Sequence, residues 1–336
     1  MLIRDELEQR ERAILSPYAA KACETKGRIR PEEECDIRTC YMRDRDRIVH
    51  SKSFRRLKDK TQVFLSPQGD HYRTRMMHTM EVSQTARTVA VCLHLNTDLV
   101  EAIALGHDLG HTPFGHAGER ALNDVCPLGF RHNEQSLRLV ERLEKEGRGL
   151  NLTAEVRDGI LNHGTNDAPS TLEGQVVRLC DKIAYIHHDM DDGVRAGLVK
   201  EEDVPAPLRR LLGETTRARL NTFIHDIVIT SRDRDCVCMS DEIGSALFEL
   251  RAFMFRHLYT NEAARREEIK ADRMLKQMYH YYVEHPEAMT DEFYKMITER
   301  GESRERVVCD YISGMTDQYS KARYNEIFVP HSWSRY

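Results

Sequence analysis

Helical periodicity runs through almost every long segment of this 336-residue chain and constrains its fold more than any other feature. Apolar residues recur at three- and four-residue spacing, whereas the alternation typical of strands is rare. Only 18 glycines and 10 prolines interrupt the pattern. We therefore predict an all-α fold with one core and flanking helices at both ends. The run at 226–230 (DIVIT) is the best strand candidate, and LSPQGD at 65–70 is predicted to form a turn.

Composition argues against several classes of protein. A hydrophobic fraction of 40% supports a sizeable core, and a net charge of -5 argues against a globally basic nucleic-acid-binding protein. No apolar run approaches the ~20 residues of a membrane-spanning helix, and the charged N-terminus does not resemble a signal peptide. Nine cysteines at irregular spacing fit reduced intracellular thiols better than a disulfide framework. We expect a cytoplasmic protein with no membrane association.

Three predicted helices each carry ionisable side chains on an otherwise apolar face. In the helix at 77–93, His78 begins the apolar stripe that continues at four- and three-residue spacing. A second helix ends with His107 and Asp108, which extend its apolar positions by one turn. In a third helix, Asp181 lies on the inner stripe. Four ionisable groups are therefore predicted to point inward.

Buried ionisable groups of this kind need partners. An unpaired buried carboxylate or imidazole costs several kcal/mol unless it is hydrogen-bonded, charge-paired or bound to a metal. Two histidines and two aspartates in one core can satisfy one another by coordinating a divalent cation. The mixed nitrogen and oxygen donors suit Mn, Fe, Zn, Co or Ni, and Mg less well. For any single histidine, the alternative is an ordinary hydrogen-bonded core residue.

The segment at 106–119, GHDLGHTPFGHAGE, concentrates histidines among four glycines and a proline. Such a turn-rich stretch cannot continue a helix, so its histidines are available to line a cavity. His116 and Glu119 lie three residues apart at a predicted helix start. A carboxylate in that position can orient an imidazole for proton transfer. The alternative is a metal-free turn with solvated histidines.

Several blocks of this sequence resemble the deoxynucleoside triphosphate triphosphohydrolase family, the dGTPase-like branch of the HD superfamily. The central blocks are RDRDRIVHSKSFRRLKDKTQVF (43–64), HYRTRMMHTMEV (71–82), GHDLGHTPFGHAGE (106–119), FRHNEQS (130–136) and DKIAYIHHD (181–189). LSPYAAK (15–21) and YISGMTDQYS (311–320) are similar too, so the resemblance touches most of the chain. Met76 and Met77 depart from the Leu-Thr that relatives often carry there.

The resemblance implies an HD-domain helical core with flanking helices at both ends, in a single helical domain over 1–336. The HD core would cover about 45–195, with an N-terminal segment at 1–44 and a C-terminal helical region at 196–336. It also implies hydrolysis of deoxynucleoside triphosphates (dNTPs), dGTP among them, to the deoxynucleoside plus inorganic triphosphate. The implied cofactor is a divalent metal, Mn²⁺ or Mg²⁺ first, with Fe, Co, Ni or Zn as alternatives.

Site residues carry over from the family position by position. The implied metal ligands are His78, His107, Asp108 and Asp181. The implied catalytic residues are His116 and Glu119, with His111 and His132 near the α-phosphate. The implied substrate-binding residues are Gln62, Arg75, Lys182, Tyr185 and Asp189, and Val63 occupies the neighbourhood expected to exclude a 2′-hydroxyl.

Partners and alternative functions also follow from the resemblance. Relatives assemble as symmetric oligomers, so we expect a homo-oligomer. A second dNTP as activator and single-stranded DNA as a partner stay open. Two other functions stay open as well. One is an HD phosphohydrolase of another nucleotide, such as a monophosphate, a cyclic dinucleotide or a guanosine alarmone; the other is a catalytically weak nucleotide or single-stranded DNA sensor.

Overall fold

The computed structural model describes residues 2–62, 73–164, 168–259 and 262–330, and within these ranges the fold is all-α, as predicted. The α-helices are α1 (Ile3–Ile14), α2 (Cys40–Val49), α3 (Lys52–Arg56), α4 (Arg75–Cys92), α5 (Thr97–Gly106), α6 (Gly115–Val125), α7 (His132–Arg138), α8 (Glu144–Gly147), α9 (Ala154–Leu161), α10 (Leu172–Arg195), α11 (Ala206–Leu212), α12 (Thr216–Ser231), α13 (Asp241–Met254), α14 (Glu262–Glu284), α15 (Asp291–Thr298), α16 (Arg304–Ser313) and α17 (Asp317–Phe328). Extended pairing in these ranges is limited to two isolated bridges, Arg28 with Thr153 and Thr61 with Thr74. The predicted turn at 65–70 lies outside the described residues.

The three helices that carry the candidate metal ligands each begin at a side-chain cap. At the start of α4, the Thr74 hydroxyl oxygen accepts a backbone N–H at 3.4 Å. At the start of α5, the Asn96 amide oxygen accepts two backbone N–H groups at 3.2 Å. The Thr171 hydroxyl does the same for α10 at 3.1 Å. Each cap satisfies an otherwise unpaired donor and contributes ~1 kcal/mol, which fixes where the helix begins.

The main hydrophobic core lies among these helices. Helix α4 packs against α5 and α10, and α5 also packs against α2 and α9. The side chains of Val82, Val89, Ile103, Val177 and Ile183 are fully buried there. Burial of one such side chain stabilises the fold by about 1.5–3 kcal/mol, so this packing holds α4, α5 and α10 in a fixed relation.

A second hydrophobic cluster joins α6 to the C-terminal helices α14 and α16. Its fully buried members include Leu122, Leu275, Tyr282, Val307 and Ile312. Helix α6 therefore packs against the C-terminal region. The predicted division of the chain into an HD core and two flanks stays a prediction.

An ion pair between a partly buried arginine and a buried aspartate connects the two clusters. Arg138 of α7 donates to the Asp310 carboxylate of α16 through Nε at 2.9 Å and Nη2 at 2.6 Å. Gln135 donates to the same carboxylate at 2.9 Å. Because Asp310 is buried, these hydrogen bonds offset the cost of removing its charge from water.

The strand prediction at 226–230 was wrong, because these residues lie inside helix α12. Phe223, Ile227 and Ser231 are buried at four-residue spacing, whereas Ile229 is 73% exposed. The β-branched residues favour a strand locally, but packing of one helical face overrides that preference.

Among the described helices, none combines the length and the apolarity that a bilayer crossing requires.

Candidate metal centre and active site

Four side chains from three helices converge on one point in the core. The Asp181 Oδ1 atom on α10 lies 3.0 Å from Nε2 of His78 on α4 and 3.7 Å from Nε2 of His107 after α5. Asp108 places Oδ1 3.4 Å from His107 Nε2 and Oδ2 3.7 Å from His78 Nε2. Atoms that bind one cation at ~2.1 Å with angles of ~90–110° lie ~3.0–3.5 Å apart. The spacings of 3.0 and 3.4 Å fall in this range and the two of 3.7 Å lie just above it, so these atoms are close enough to share one cation after small side-chain shifts.

The hydrogen bonds around His107 leave one of its nitrogens free to bind a cation. Its Nδ1 donates to the backbone oxygen of Ala104 at 2.6 Å, so Nε2 is the nitrogen that faces the two carboxylates and would bind a cation after losing its proton. That Nε2 atom is buried and has no hydrogen-bond partner among the described residues. An imidazole nitrogen beside two carboxylates is the donor set that a divalent metal satisfies.

The electrostatics of the cluster also favour a bound cation. Burial alone would lower the pKa of His107, but Asp108 and Asp181 outweigh burial and raise the pKa to about 9. Burial would likewise raise the pKa of Asp108, yet His107 and Arg75 hold it well below its usual range. The two carboxylates are therefore ionised, and they attract a positive charge to the point where they meet.

A second group of histidines adjoins the cluster and is organised by Glu119. The Glu119 carboxylate accepts hydrogen bonds from His116 Nδ1 at 3.1 Å and from His132 Nδ1 at 2.8 Å. The His111 ring stacks on the His132 ring with centroids 4.0 Å apart. His111 Nε2 lies 3.3 Å from Asp108 Oδ1. The two groups therefore form one continuous array.

This array changes from buried to exposed along its length. His111 is buried, whereas the His116 side chain is 58% exposed. Burial would raise the pKa of Glu119, but its hydrogen bonds with the two histidines lower the pKa far below the usual value. An ionised carboxylate thus holds a solvent-accessible imidazole beside the candidate metal centre, as proton transfer requires.

The glycines of the 106–119 segment have specific packing reasons. A Cβ atom on Gly110 would lie 2.2 Å from the backbone nitrogen of Ser136, so α7 could not approach this turn. A Cβ atom on Gly118 would lie 2.1 Å from the Pro113 oxygen. Phe114 adopts φ 61°, an uncommon value for a non-glycine residue, at the start of α6. Close approach and a tight turn together bring His111 and His116 to the same site.

Two predicted substrate-binding residues lie on the N-terminal side of the cluster. Arg75 is 1% exposed and donates to Asp108 Oδ2 at 2.6 Å and to the Gln62 backbone oxygen at 3.1 Å. Its buried Nε and the buried Gln62 Oε1 have no hydrogen-bond partner among the described residues. Val63 lies outside the described residues. Arg75 is thus largely engaged with Asp108.

The other predicted substrate-binding residues follow Asp181 along α10. Burial lowers the pKa of Lys182 to about 8, and the nearby positive charges of Arg178 and Arg251 act in the same direction. Tyr185 is partly buried and Asp189 is buried, one and two turns further along the helix. Lys182 is therefore the residue next to Asp181 on α10, and the two polar side chains lie further along the same helix.

Three residues that the sequence reasoning did not select also belong to this region. His163 places Nε2 3.1 Å from His132 Nε2, and its ring centroid lies 5.0 Å from that of His107. His188 and Glu81 lie behind His78. Both histidines carried a signal, because each continues an apolar helical stripe in the way that His107 does.

Two known protein families match parts of this chain. The HD domain family matches residues 75–186, and the phosphohydrolase-associated domain family matches residues 237–326. In fold, the chain is similar to a phosphohydrolase from Bacteroides thetaiotaomicron (TM-score 0.50, 18% identity, 82% of this chain and 66% of that one). It is equally similar to a hypothetical protein from Aquifex aeolicus (TM-score 0.50, 17% identity, 85% and 71%). These matches identify residues 75–186 as an HD domain, which contains the whole candidate metal cluster.

Sequence relatives narrow this class further. The chain is 55% identical to a deoxyguanosinetriphosphate triphosphohydrolase-like protein of Caldanaerobacter subterraneus, over 99% of this chain and 98% of that protein. It is 50% identical to a protein of the same description from Clostridium perfringens, with 98% of each covered. The chain therefore belongs to the deoxyguanosinetriphosphate triphosphohydrolase-like family, which confirms the resemblance seen in the sequence.

Proposed function

We propose that this protein hydrolyses deoxynucleoside triphosphates, dGTP among them, to the deoxynucleoside and inorganic triphosphate. One observation carries the proposal: the His111–Asp108 contact joins a cluster suited to a metal directly to a Glu119-organised pair of histidines. A triphosphate ester needs both charge neutralisation and proton transfer at one point, and this array offers them side by side. The names of the relatives point to the same substrate class.

The proposed metal ligands are His78, His107, Asp108 and Asp181. We expect Mn²⁺ or Mg²⁺ as the cofactor, with Fe, Co, Ni or Zn as alternatives that the two nitrogen and two oxygen donors also accept. A metal held by these residues would supply Lewis-acid polarisation of a phosphoryl oxygen and a more acidic water. The Arg75 guanidinium holds the Asp108 carboxylate in place through its 2.6 Å hydrogen bond.

We assign proton transfer to His116 and Glu119. The hydrogen bond between His116 Nδ1 and Glu119 fixes the ring and leaves Nε2 to exchange a proton with the leaving oxygen or with water. Glu119 also receives the backbone N–H and Nδ1 of His132 at 2.8 Å. One carboxylate therefore sets the orientation of two imidazoles, and His111 extends this wall toward the metal ligands.

Substrate binding falls to groups around the two clusters. Lys182, with Arg178 and Arg251 near it, supplies positive charge for the phosphates. Arg75 Nε is the guanidinium nitrogen left for a phosphate oxygen, and Gln62 Oε1 is an acceptor without a partner among the described residues. We assign Gln62, Tyr185 and Asp189 to the sugar. A cytoplasmic homo-oligomer, a second dNTP as activator and single-stranded DNA as a partner stay open predictions.

Product analysis tests the proposal directly. Purified protein is incubated with dGTP and Mn²⁺, and the products are separated by chromatography. Deoxyguanosine plus inorganic triphosphate is expected, whereas deoxyguanosine monophosphate plus pyrophosphate would contradict the proposed bond cleavage. Intact dNTPs with turnover of a monophosphate, a cyclic dinucleotide or a guanosine alarmone would favour a different substrate. Binding without any turnover would favour a sensor. An Asp181→Ala preparation controls for contaminating phosphatases.

A further inference from the structure

A chain of two side chains lies behind His78, on the side away from the other candidate ligands. His78 Nδ1 lies 3.2 Å from His188 Nδ1 on α10. The opposite nitrogen of His188, Nε2, forms a short ion-paired contact with Glu81 Oε2, one turn along α4 from His78. Both histidine rings are buried and meet edge to face. The helices α4 and α10 that supply candidate ligands therefore also supply the contacts behind one of them.

Only one placement of the protons on His188 and His78 gives each contact in the Glu81–His188–His78 series one donor and one acceptor. His188 faces a carboxylate with Nε2 and another imidazole nitrogen with Nδ1, and a neutral ring, which has one N–H and one bare nitrogen, fits both contacts. The Glu81 carboxylate also pairs with the Arg73 guanidinium, whose Nε lies 3.2 Å away, as an ionised carboxylate does. An ionised Glu81 accepts hydrogen bonds only, so the single proton of His188 lies on Nε2.

The arrangement at His188 determines the state of His78. With its proton on Nε2, His188 presents a bare Nδ1 lone pair toward His78, which must donate from its own Nδ1. The remaining nitrogen of His78, Nε2, is then unprotonated, and this is the atom 3.0 Å from Asp181. A metal requires an unprotonated imidazole nitrogen, so the chain prepares His78 for coordination.

The far end of the chain is anchored by Arg73. Its Nε lies 3.2 Å from Glu81, and its Nη1 lies 2.8 Å from Asp191 and 3.0 Å from Asp192 near the end of α10. Glu81 is thereby fixed between two helices. By contrast, the other candidate histidine ligand, His107, donates directly to a backbone carbonyl. Of the two candidate histidine ligands, His78 is therefore the one whose Nδ1 partner is a side chain, which a substitution can remove.

We propose that His188 and Glu81 are positioning residues that fix the tautomer and ring orientation of His78 and so set the metal affinity of the site. This inference rests on the proposed metal centre. The alternative is that His188 merely fills the core between α4 and α10. The two readings differ in what a substitution does to metal binding when the fold is kept.

The test is Mn²⁺ binding, with free Mn²⁺ measured by its electron paramagnetic resonance signal. We expect His188→Leu to weaken Mn²⁺ binding about 10- to 100-fold, the range typical of lost outer-shell partners. In His188→Gln, the amide oxygen can accept from His78 and the amide nitrogen can donate to Glu81, so affinity stays within about threefold of wild type. The matched control is His187→Leu, since His187 lines a small cavity with Thr216 and Arg219 and should leave affinity unchanged.

Glu81 provides an independent variant, because its side chain is a third exposed and tolerates replacement better. Glu81→Leu should weaken Mn²⁺ binding about tenfold, and adding it to His188→Leu should cause little further loss, because both act through His78. Equal Mn²⁺ affinity in wild type, His188→Leu and Glu81→Leu would overturn the positioning role alone. If His188→Leu does not fold, Glu81→Leu with the His187→Leu control decides the question. Wild-type protein that binds no Mn²⁺ would overturn the proposed metal centre itself.

Discussion

Replacing Glu119 by glutamine separates the organisation of the histidines from metal binding. The carboxylate accepts three hydrogen bonds, one from His116 Nδ1 at 3.1 Å and two from the backbone nitrogen and Nδ1 of His132 at 2.8 Å. Glutamine keeps one acceptor oxygen but puts an amide donor where the other oxygen was. At least one imidazole then faces a donor with its own N–H group. A hydrogen bond to a charged group contributes about 1.5–3 kcal/mol.

That loss corresponds to about a 10- to 200-fold decrease in kcat, if it falls on the transition state. The assay is steady-state dGTP hydrolysis at saturating Mn²⁺, with bound Mn²⁺ measured by elemental analysis. We expect Mn²⁺ content to stay at the wild-type value, since Glu119 is outside the four proposed ligands. The matched control is Glu134→Gln, an exposed side chain 3.5 Å from Arg131, which should keep wild-type turnover.

Two outcomes would refute this reasoning in different ways. Wild-type kcat in Glu119→Gln would show that the carboxylate does not organise proton transfer. Loss of Mn²⁺ from the variant would place Glu119 among the ligands instead. The second outcome is meaningful because His111, His116 and Glu119 have ligand atoms within 4.8 Å of one another.

The remaining predictions concern the ligand set and two buried ionisable groups. Asp181→Ala should lose both bound Mn²⁺ and dGTP turnover, and a fully metallated, active variant would contradict its role as a ligand. Lys60→Met should lower the free energy of unfolding by about 2–5 kcal/mol in chemical denaturation, because two buried carbonyls lose their donor. Burial lowers the pKa of Lys60 from 10.5 to about 7, so between these pH values the unfolded chain binds more protons than the folded chain. The free energy of unfolding of the wild type should therefore rise with pH across this window, and Lys60→Met should abolish the rise. Burial raises the pKa of Glu173 from 4.5 to about 7, so between these pH values the folded chain binds more protons than the unfolded chain. The free energy of unfolding should therefore fall by on the order of 2–3 kcal/mol as pH rises across this window, and Glu173→Gln should abolish the fall.

The sequence pattern was enough to bring the main cluster together. His78, His107 and Asp181 each extend or occupy the apolar stripe of a helix. The apolar stripe of a helix packs into the core, whatever its packing partner is. In the structure, Asp181 Oδ1 lies 3.0 Å from His78 Nε2 and 3.7 Å from His107 Nε2. Periodicity therefore predicts which side chains point inward, and one shared core makes them converge.

Contacts between distant parts of the chain could not be read from periodicity. The 2.6 Å hydrogen bond from Arg75 to Asp108 spans 33 residues, and no local pattern indicates that Arg75 is engaged there. The strand prediction at 226–230 failed for a related reason, since burial at four-residue spacing depends on neighbours that only the fold supplies. His163 and His188 were different, because their stripes were visible and only their contacts with other histidines were hidden.

The C-terminal helices support the candidate site from outside, since none of the predicted site residues lies in them. The Asp317 carboxylate at the start of α17 accepts the backbone N–H of Phe114 at 3.0 Å, the residue whose positive φ turns the chain into α6. Lys60 Nζ donates to the backbone oxygens of His111 at 2.6 Å and Ser313 at 2.7 Å, and so ties the histidine-bearing turn to α16. An uncommon backbone conformation persists only where surrounding contacts hold it. The phosphohydrolase-associated region therefore supports the geometry of the turn that carries the candidate catalytic histidines, and its removal should disturb that turn before it affects the four proposed ligands.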